Sequence, residues 1–322
     1  MAARWMKWSG RTVACVAGLL LVGELAARLL GLTDFPVYQV DDRIGYLPAP
    51  DQQGAFLRTH DWAYNNRSMG VAAPWPGPSG RQNLLLIGNS IVSGGNPYRQ
   101  ADKLGPQLQS NLGAQVAVWP MAAGGWSAVN ETVNLERNPD VVASTDVFVW
   151  QLMAGTFSQV SGWRGDLIWP RERPVLATVY LARRYLLPRW GFSPGNDLPP
   201  AGVPVQQNVE RFEKMVAALT QAAARGTVAP AVDRALRSAD VKTRGFFVLY
   251  PTQDDMQTRR EHWLAERADL ERIAARHGVR VIDVSKIPGW GPEMYRDGVH
   301  PTPAGNELLA RHLAQQVQAS LM

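Results

Sequence analysis

Cysteine is almost missing from this chain: Cys15 is the only one in 322 residues. No intrachain disulfide can form, and no cysteine-based metal cluster can be built. The cytoplasm and a periplasm that needs no disulfide are both compatible with that. Also missing are basic runs interleaved with aromatics and any zinc-finger or RNA-binding signature. The excess of 33 Lys+Arg over 28 Asp+Glu therefore does not describe a nucleic-acid surface. Part of that +5 belongs to Arg4, Lys7 and Arg11, which precede every acidic residue. No nucleotide-binding motif, His-x-Glu pattern, carboxylate cluster or internal repeat is present, so neither a metal nor a cofactor is expected.

Charge is absent from Thr12 to Gly23, and the apolar pattern runs on through Glu24 and Arg28 to Leu32. That span of about 20 residues matches a bilayer core. Three readings fit it: an uncleaved anchor, a cleaved signal peptide, or a buried helix of a soluble domain. The anchor is favoured because Leu25-Ala26-Ala27 is a poor cleavage site. A core helix would also show a polar face, which Thr12 to Gly23 lacks. The basic flank stays cytoplasmic by the positive-inside rule, which places the remainder outside the cytoplasm on a single-pass inner-membrane protein. Glu24 and Arg28, four residues apart, share a helical face and can pair near the outer interface.

The organisation expected is a membrane segment at 1–32, an extended lead-in at 33–80 and one catalytic domain at 81–322. The lead-in is rich in Pro, Gly, Asp, Asn and aromatics, which predicts irregular structure with short strands. Beyond it, apolar strand candidates (Leu84 to Ile87, Val116 to Trp119, Val147 to Leu152, Phe246 to Tyr250, Val279 to Val284) alternate with helical patterns. The helices fall at Gln100 to Leu112, Ser127 to Arg137, Gln207 to Arg225, Arg259 to His277 and Pro303 to Ser320. Largely apolar strands separated by helices predict a three-layer α/β/α fold around a five-stranded parallel sheet. Residues 158–204, with Trp163, Trp169 and Trp190, read as an insertion over the sheet edge or the site. A membrane-surface contact through Leu176, Tyr180, Leu181, Tyr185 and Leu186 is a second reading of that stretch.

Two motifs carry chemistry. Gly88-Asn89-Ser90-Ile91-Val92-Ser93-Gly94-Gly95 follows the first apolar strand, where ligands bind in an open parallel sheet. Its bland reading is a strand-to-helix turn in which Ser90 caps the helix. Asp297-Gly298-Val299-His300-Pro301 stands before the final helix. A serine hydroxyl needs a base to take its proton, and the base needs a group that fixes its tautomer. Ser90, His300 and Asp297 fill those three roles as nucleophile, base and orienting acid.

Together these blocks resemble the SGNH hydrolases, also called the GDSL family, over about residues 80 to 320. The family's serine block reads Gly-Asp-Ser, with Asn89 here in place of Asp, and its closing block is Asp-x-x-His. Trp62-Ala63-Tyr64-Asn65-Asn66-Arg67-Ser68-Met69-Gly70 is similar to the Asn-rich lead-in of membrane-anchored members. The resemblance implies an SGNH or flavodoxin-like fold and an oxyanion hole from the Ser90 N–H with a donor in Met121 to Ser127, for which Ala122, Ala123, Gly124 and Gly125 are candidates. The family's third block ends in Gly-x-Asn-Asp, whose asparagine is absent from Trp150-Gln151-Leu152-Met153-Ala154-Gly155-Thr156-Phe157. Losing one such donor costs about 3 kcal/mol of transition-state stabilisation unless it is replaced. Gln151 and Thr156 are the candidate replacements, and with Asn89 they are candidate substrate contacts.

The resulting expectation is a serine esterase or acyltransferase acting on O-acyl, chiefly O-acetyl, groups of an envelope or exported polysaccharide. Its partners would be an acylated carbohydrate, the membrane and a polysaccharide-synthesis complex. The alternative class is a non-catalytic carbohydrate-binding or assembly component of a polysaccharide-secretion complex.

Overall fold

The computed structural model describes residues 2–158, 160–190, 204–225, 244–257 and 261–321. Much of the end of the expected insertion, and the first two residues of the helix expected from Arg259, lie outside the described residues.

Helix α1 (Ala2–Leu29) contains the charge-free run, and its window Thr12–Leu29 is long and apolar enough to cross a membrane. Only 6% of that window is buried, which removes the reading as a core helix. Two antiparallel hairpins follow: β1 (Tyr38–Asp41) with β2 (Gly45–Pro48), and β3 (Gln52–Phe56) with β4 (His60–Tyr64).

The central sheet has five parallel strands in the order β6-β5-β7-β8-β9. These are β5 (Gln82–Gly88), β6 (Val116–Ala122), β7 (Val147–Leu152), β8 (Gly245–Leu249) and β9 (Arg280–Asp283). Successive side chains point to opposite faces, and both faces are apolar. Leu84, Leu86, Val147, Val149, Phe246 and Val248 enter one core layer. Leu85, Ile87, Phe148, Trp150, Phe247 and Leu249 enter the other. This is why the strands read as continuous apolar runs.

The first layer is closed by α2 (Ser90–Ser93), α3 (Leu104–Leu112) and the final helix Pro303–Leu321. The final helix starts as its sequence predicts, with Gly305 N–H donating to Thr302 Oγ1 at 3.1 Å. The second layer is closed by α4 (Ala128–Glu136), α5 (Pro139–Ala143), α7 (Val205–Arg225) and the helix Glu261–His277. The chain leaves β5 on one face and β7 on the other, so a crevice opens between their carboxyl ends. Within the insertion, α6 (Ala177–Leu181) continues through a π turn (Ala182–Leu186).

A buried asparagine locks the lead-in and the insertion over this crevice. Asn130 Oδ1 accepts the N–H groups of Ser127 and Ser161, both at 3.1 Å, while its Nδ2 donates to Ile44 O (2.7 Å) and Ser161 O (2.8 Å).

Candidate active site

Gly88 ends β5 where no side chain fits: a Cβ there would lie 2.6 Å from Val92 Cγ2 and 2.7 Å from Gln151 Oε1. The chain turns into α2 with Asn89 as N-cap, its Oδ1 accepting the Ile91 N–H at 3.1 Å. The cap falls to Asn89, and the Ser90 hydroxyl is turned elsewhere. His300 Nε2 lies 2.9 Å from Ser90 Oγ, and His300 Nδ1 lies 3.0 Å from each Asp297 carboxylate oxygen. Ser90, His300 and Asp297 thus form one hydrogen-bonded line across 210 residues of sequence.

The loop that carries the base is built by its own acid. Asp297 Oδ1 accepts the N–H groups of Val299 (3.2 Å) and His300 (2.9 Å), and Gly298 reverses the chain at φ +80°, a left-handed conformation that favours glycine. Two tyrosines then pin it. Tyr98 OH donates to Pro301 O at 2.6 Å, and Tyr250 OH donates to Val299 O at 2.9 Å. Burial pushes the Tyr250 hydroxyl far up, so it stays a donor throughout the physiological range. Partial burial alone would raise the Asp297 carboxyl. The His300 backbone N–H, the Arg296 guanidinium and the His300 ring outweigh it and hold the carboxyl well below the usual carboxylate range. Arg296, 2.7 Å from Asp297 Oδ2, sits over the Tyr98 ring. Its only signal in the sequence is adjacency to Asp297.

On the oxyanion side, Gly124 and Gly125 are brought to Ser90. A Cβ on Gly124 would sit 3.9 Å from Ser90 Cβ, and Gly125 lines the pocket. Tyr46 OH donates to Gly124 O at 2.5 Å, and in a planar trans peptide this aims the Gly125 N–H the opposite way. Ala122 ends β6 in register with Gly88, its side chain in the core layer under α2.

The wall from β7 and α4 is different. Gln151 is buried, and its Oε1 accepts the Asn89 N–H at 3.3 Å, whereas its Nε2 has no partner among the described residues. Thr156 is buried beside it in the same wall. Glu131, which sequence reasoning passed over, projects from α4, where its Oε2 accepts the Trp150 Nε1–H at 2.6 Å. Complete burial pushes its carboxyl up to about 8 against that hydrogen bond, so it is largely protonated at neutral pH. Its one signal was a lone charge in the otherwise uncharged run Ala128 to Leu135. These groups enclose about 240 Å³.

The tryptophans of the insertion are less available than sequence reading suggests. Trp169 stacks on Tyr46 (4.6 Å, 18°) with Tyr38 against it at 4.9 Å, and Arg171 covers the Trp163 ring at 4.6 Å. One face of each ring is therefore already occupied.

No family model and no curated protein sequence matches the chain. Its neighbours among solved structures are SGNH-type hydrolases and acetylesterases. An aryl esterase from M. smegmatis shares 15% identity over 74% of this chain and 99% of its own, with a TM-score of 0.40. A carbohydrate acetylesterase from Sinorhizobium meliloti shares 11% over 74% and 99%, with a TM-score of 0.41. A member of the lipolytic G-D-S-L family from Veillonella parvula shares 15% over 74% and 98%, with a TM-score of 0.37.

Proposed function

We propose that this chain is an SGNH-type serine esterase or acyltransferase, acting on O-acyl and chiefly O-acetyl groups of an envelope or exported polysaccharide. The observation that carries the reading is the line Ser90 Oγ, His300 Nε2, His300 Nδ1, Asp297, with each contact at 2.9 to 3.0 Å. Ser90 Oγ attacks the ester carbonyl carbon as His300 Nε2 takes its proton. The carbonyl oxygen becomes an oxyanion held by the Ser90 N–H and by N–H groups at Gly124 and Gly125, with Gln151 Nε2 as third donor in place of the family's asparagine. His300 then gives its proton to the leaving alcohol oxygen as that bond breaks. The acyl group on Ser90 passes to water or to a sugar hydroxyl, whose proton returns through His300 to Ser90.

A pocket of about 240 Å³ supports a short acyl group. Helix α1, as an uncleaved anchor with its basic end in the cytoplasm, would present the pocket outside the inner membrane, where such polysaccharides lie. A hydrogen-bonded triad favours catalysis over a purely carbohydrate-binding role. Incubation with a fluorophosphonate probe tests this: the parent chain should form an adduct that Ser90→Ala abolishes. A folded parent chain that stays unlabelled would return the binding role to the front.

A further inference from the structure

The insertion is fastened to α1 by the two charged residues that interrupt its apolar run. Glu24 Oε1 accepts the Ala177 N–H at 2.9 Å, and Oε2 accepts the Thr178 N–H at 3.0 Å and the Thr178 hydroxyl at 3.1 Å. Arg28 pairs with Glu24 at 2.7 Å and donates to Val175 O at 2.5 Å. An ion pair beside hydrocarbon is tolerated when its members satisfy each other and nearby backbone, as they do here. Arg58 holds the end of α1 to the domain through Leu29 O (3.0 Å) and Arg28 O (2.7 Å). Helix α6 is thereby fixed beside the last turns of α1. From Glu24 to Leu29 the helix rises about 7.5 Å, the depth at which interfacial helices lie, roughly 5–10 Å.

What this segment turns outward is apolar. Val175 is 87% exposed, and Leu176, Val179, Tyr185 and Leu186 are about half exposed. Tyr180 is buried and packs on Phe35 at 5.2 Å, so it leaves the outward face that its sequence neighbours form. Arg164 and Arg183 flank a hollow of about 530 Å³ beside Leu176 and Val179. Leu25, Leu29 and Leu30, on the same stretch of chain as Glu24 and Arg28, are exposed as well.

We propose that the segment 175–186 is a second membrane-contacting element, which sinks these apolar side chains into the outer interface of the bilayer that α1 crosses. Arg183 and Arg164 sit at the headgroup level, where long basic side chains keep their charge in water. The inference rests on the reading of α1 as a membrane span. It adds that the catalytic pocket is held against the membrane, because Arg164 lines both the hollow and the pocket that contains Ser90.

The test uses the full chain in vesicles of phosphatidylcholine and phosphatidylglycerol. In a Cys15→Ser background, a nitroxide is placed in turn at Val179→Cys, at Leu19→Cys in α1 and at Glu307→Cys, on the solvent side of the final helix. Leu176→Cys serves if the first variant does not insert. Collision with oxygen, which concentrates in hydrocarbon, is compared with collision with a water-soluble nickel chelate. The oxygen-to-nickel ratio at 179 should approach that at 19 and exceed that at 307 several-fold. A ratio at 179 equal to that at 307, with 19 in hydrocarbon, overturns the inference and leaves the span standing. A position 179 shielded from both quenchers means that protein covers it, which also overturns the inference. An aqueous position 19 removes the span and the inference together.

Discussion

The wall of the pocket that carries Ser90 and His300 is made of backbone turns, whereas the wall from β7 and α4 is made of buried side chains with polar atoms to spare. On the first wall Gly88, Asn89 and Gly298 set the turns, and Tyr98 and Tyr250 hold the carbonyls of Pro301 and Val299. On the second, Gln151 keeps a buried Nε2 with no partner among the described residues and Glu131 a buried carboxyl. Under the proposed mechanism the difference separates two tasks. A proton relay needs distances fixed before substrate arrives. Donors reserved for the transition state stay unpaired until charge develops there, and an unsatisfied buried amide is the structural cost of that.

If the first wall is one working unit, breaking it anywhere should have nearly the same result. Ser90→Ala and His300→Ala should each lower kcat on an acetyl ester by about 10,000-fold or more, and the double variant should lose little further. Steady-state rates that multiply across the two changes would show that the residues do not share a step.

The second wall should give a smaller effect of a different kind. Gln151→Glu keeps an acceptor for the Asn89 N–H and removes the free donor, so kcat should fall about 100-fold with KM little changed. Gln151→Leu should fall as far and also lose melting temperature, because the Asn89 N–H is left unpaired. An unchanged kcat in the Glu variant would move the third donor to another residue.

Glu131 sharpens the contrast through pH. Its folded-state value of about 8 stands above the ordinary glutamate value of 4.5, so between these the folded chain holds a proton that the unfolded chain has released. Stability should therefore be full below the lower value, fall as pH climbs through that window, and level off above it. Glu131→Gln keeps an acceptor for Trp150 and removes the ionisation. Thermal melting should match the parent near pH 4.5 and lie higher near pH 9, the full shift corresponding to on the order of 5 kcal/mol of stability. Parallel melting curves at all pH values would place the Glu131 carboxyl in ordinary solvation.

How much of this was legible follows from which forces act locally. The four central strands are readable because both of their faces are apolar, and long closing helices such as Pro303–Leu321 because they carry a stripe, whereas β9 is polar at both ends and the five-residue α5 is too short to show a period. The hydrogen-bonded line of Ser90, His300 and Asp297 is readable because the turn Gly88 to Ser90 and the loop Asp297 to His300 each carry their own geometry. Tyr98 and Tyr250 are not readable, since each acts through a contact that only the folded chain creates, and Arg296 and Glu131 leave only faint signals. Tyr98, for example, reaches Pro301 across 203 residues. In the lead-in the sequence predicts short strands within irregular chain but not their pairing into two hairpins, since the strands are four or five residues long and most alternate poorly.

The smallest effect tests how the first wall is held. Tyr98→Phe keeps the buried ring under Arg296 and removes only the hydroxyl that reaches Pro301 O, leaving that carbonyl without its 2.6 Å donor. One such hydrogen bond contributes about 1 kcal/mol. The backbone pairing of Arg296 N–H with His300 O at 2.8 Å remains, so the loop should loosen rather than open. The expected result is a kcat lower by roughly fivefold, the size of that free-energy loss, with KM unchanged, since His300 spends less time within reach of Ser90. Tyr250→Phe should do the same at Val299 O. Because both tyrosines hold one loop, the double variant should lose more than the product of the single losses. Losses that simply multiply would mean that each tyrosine holds its own carbonyl and that the Asp297 turn alone positions His300.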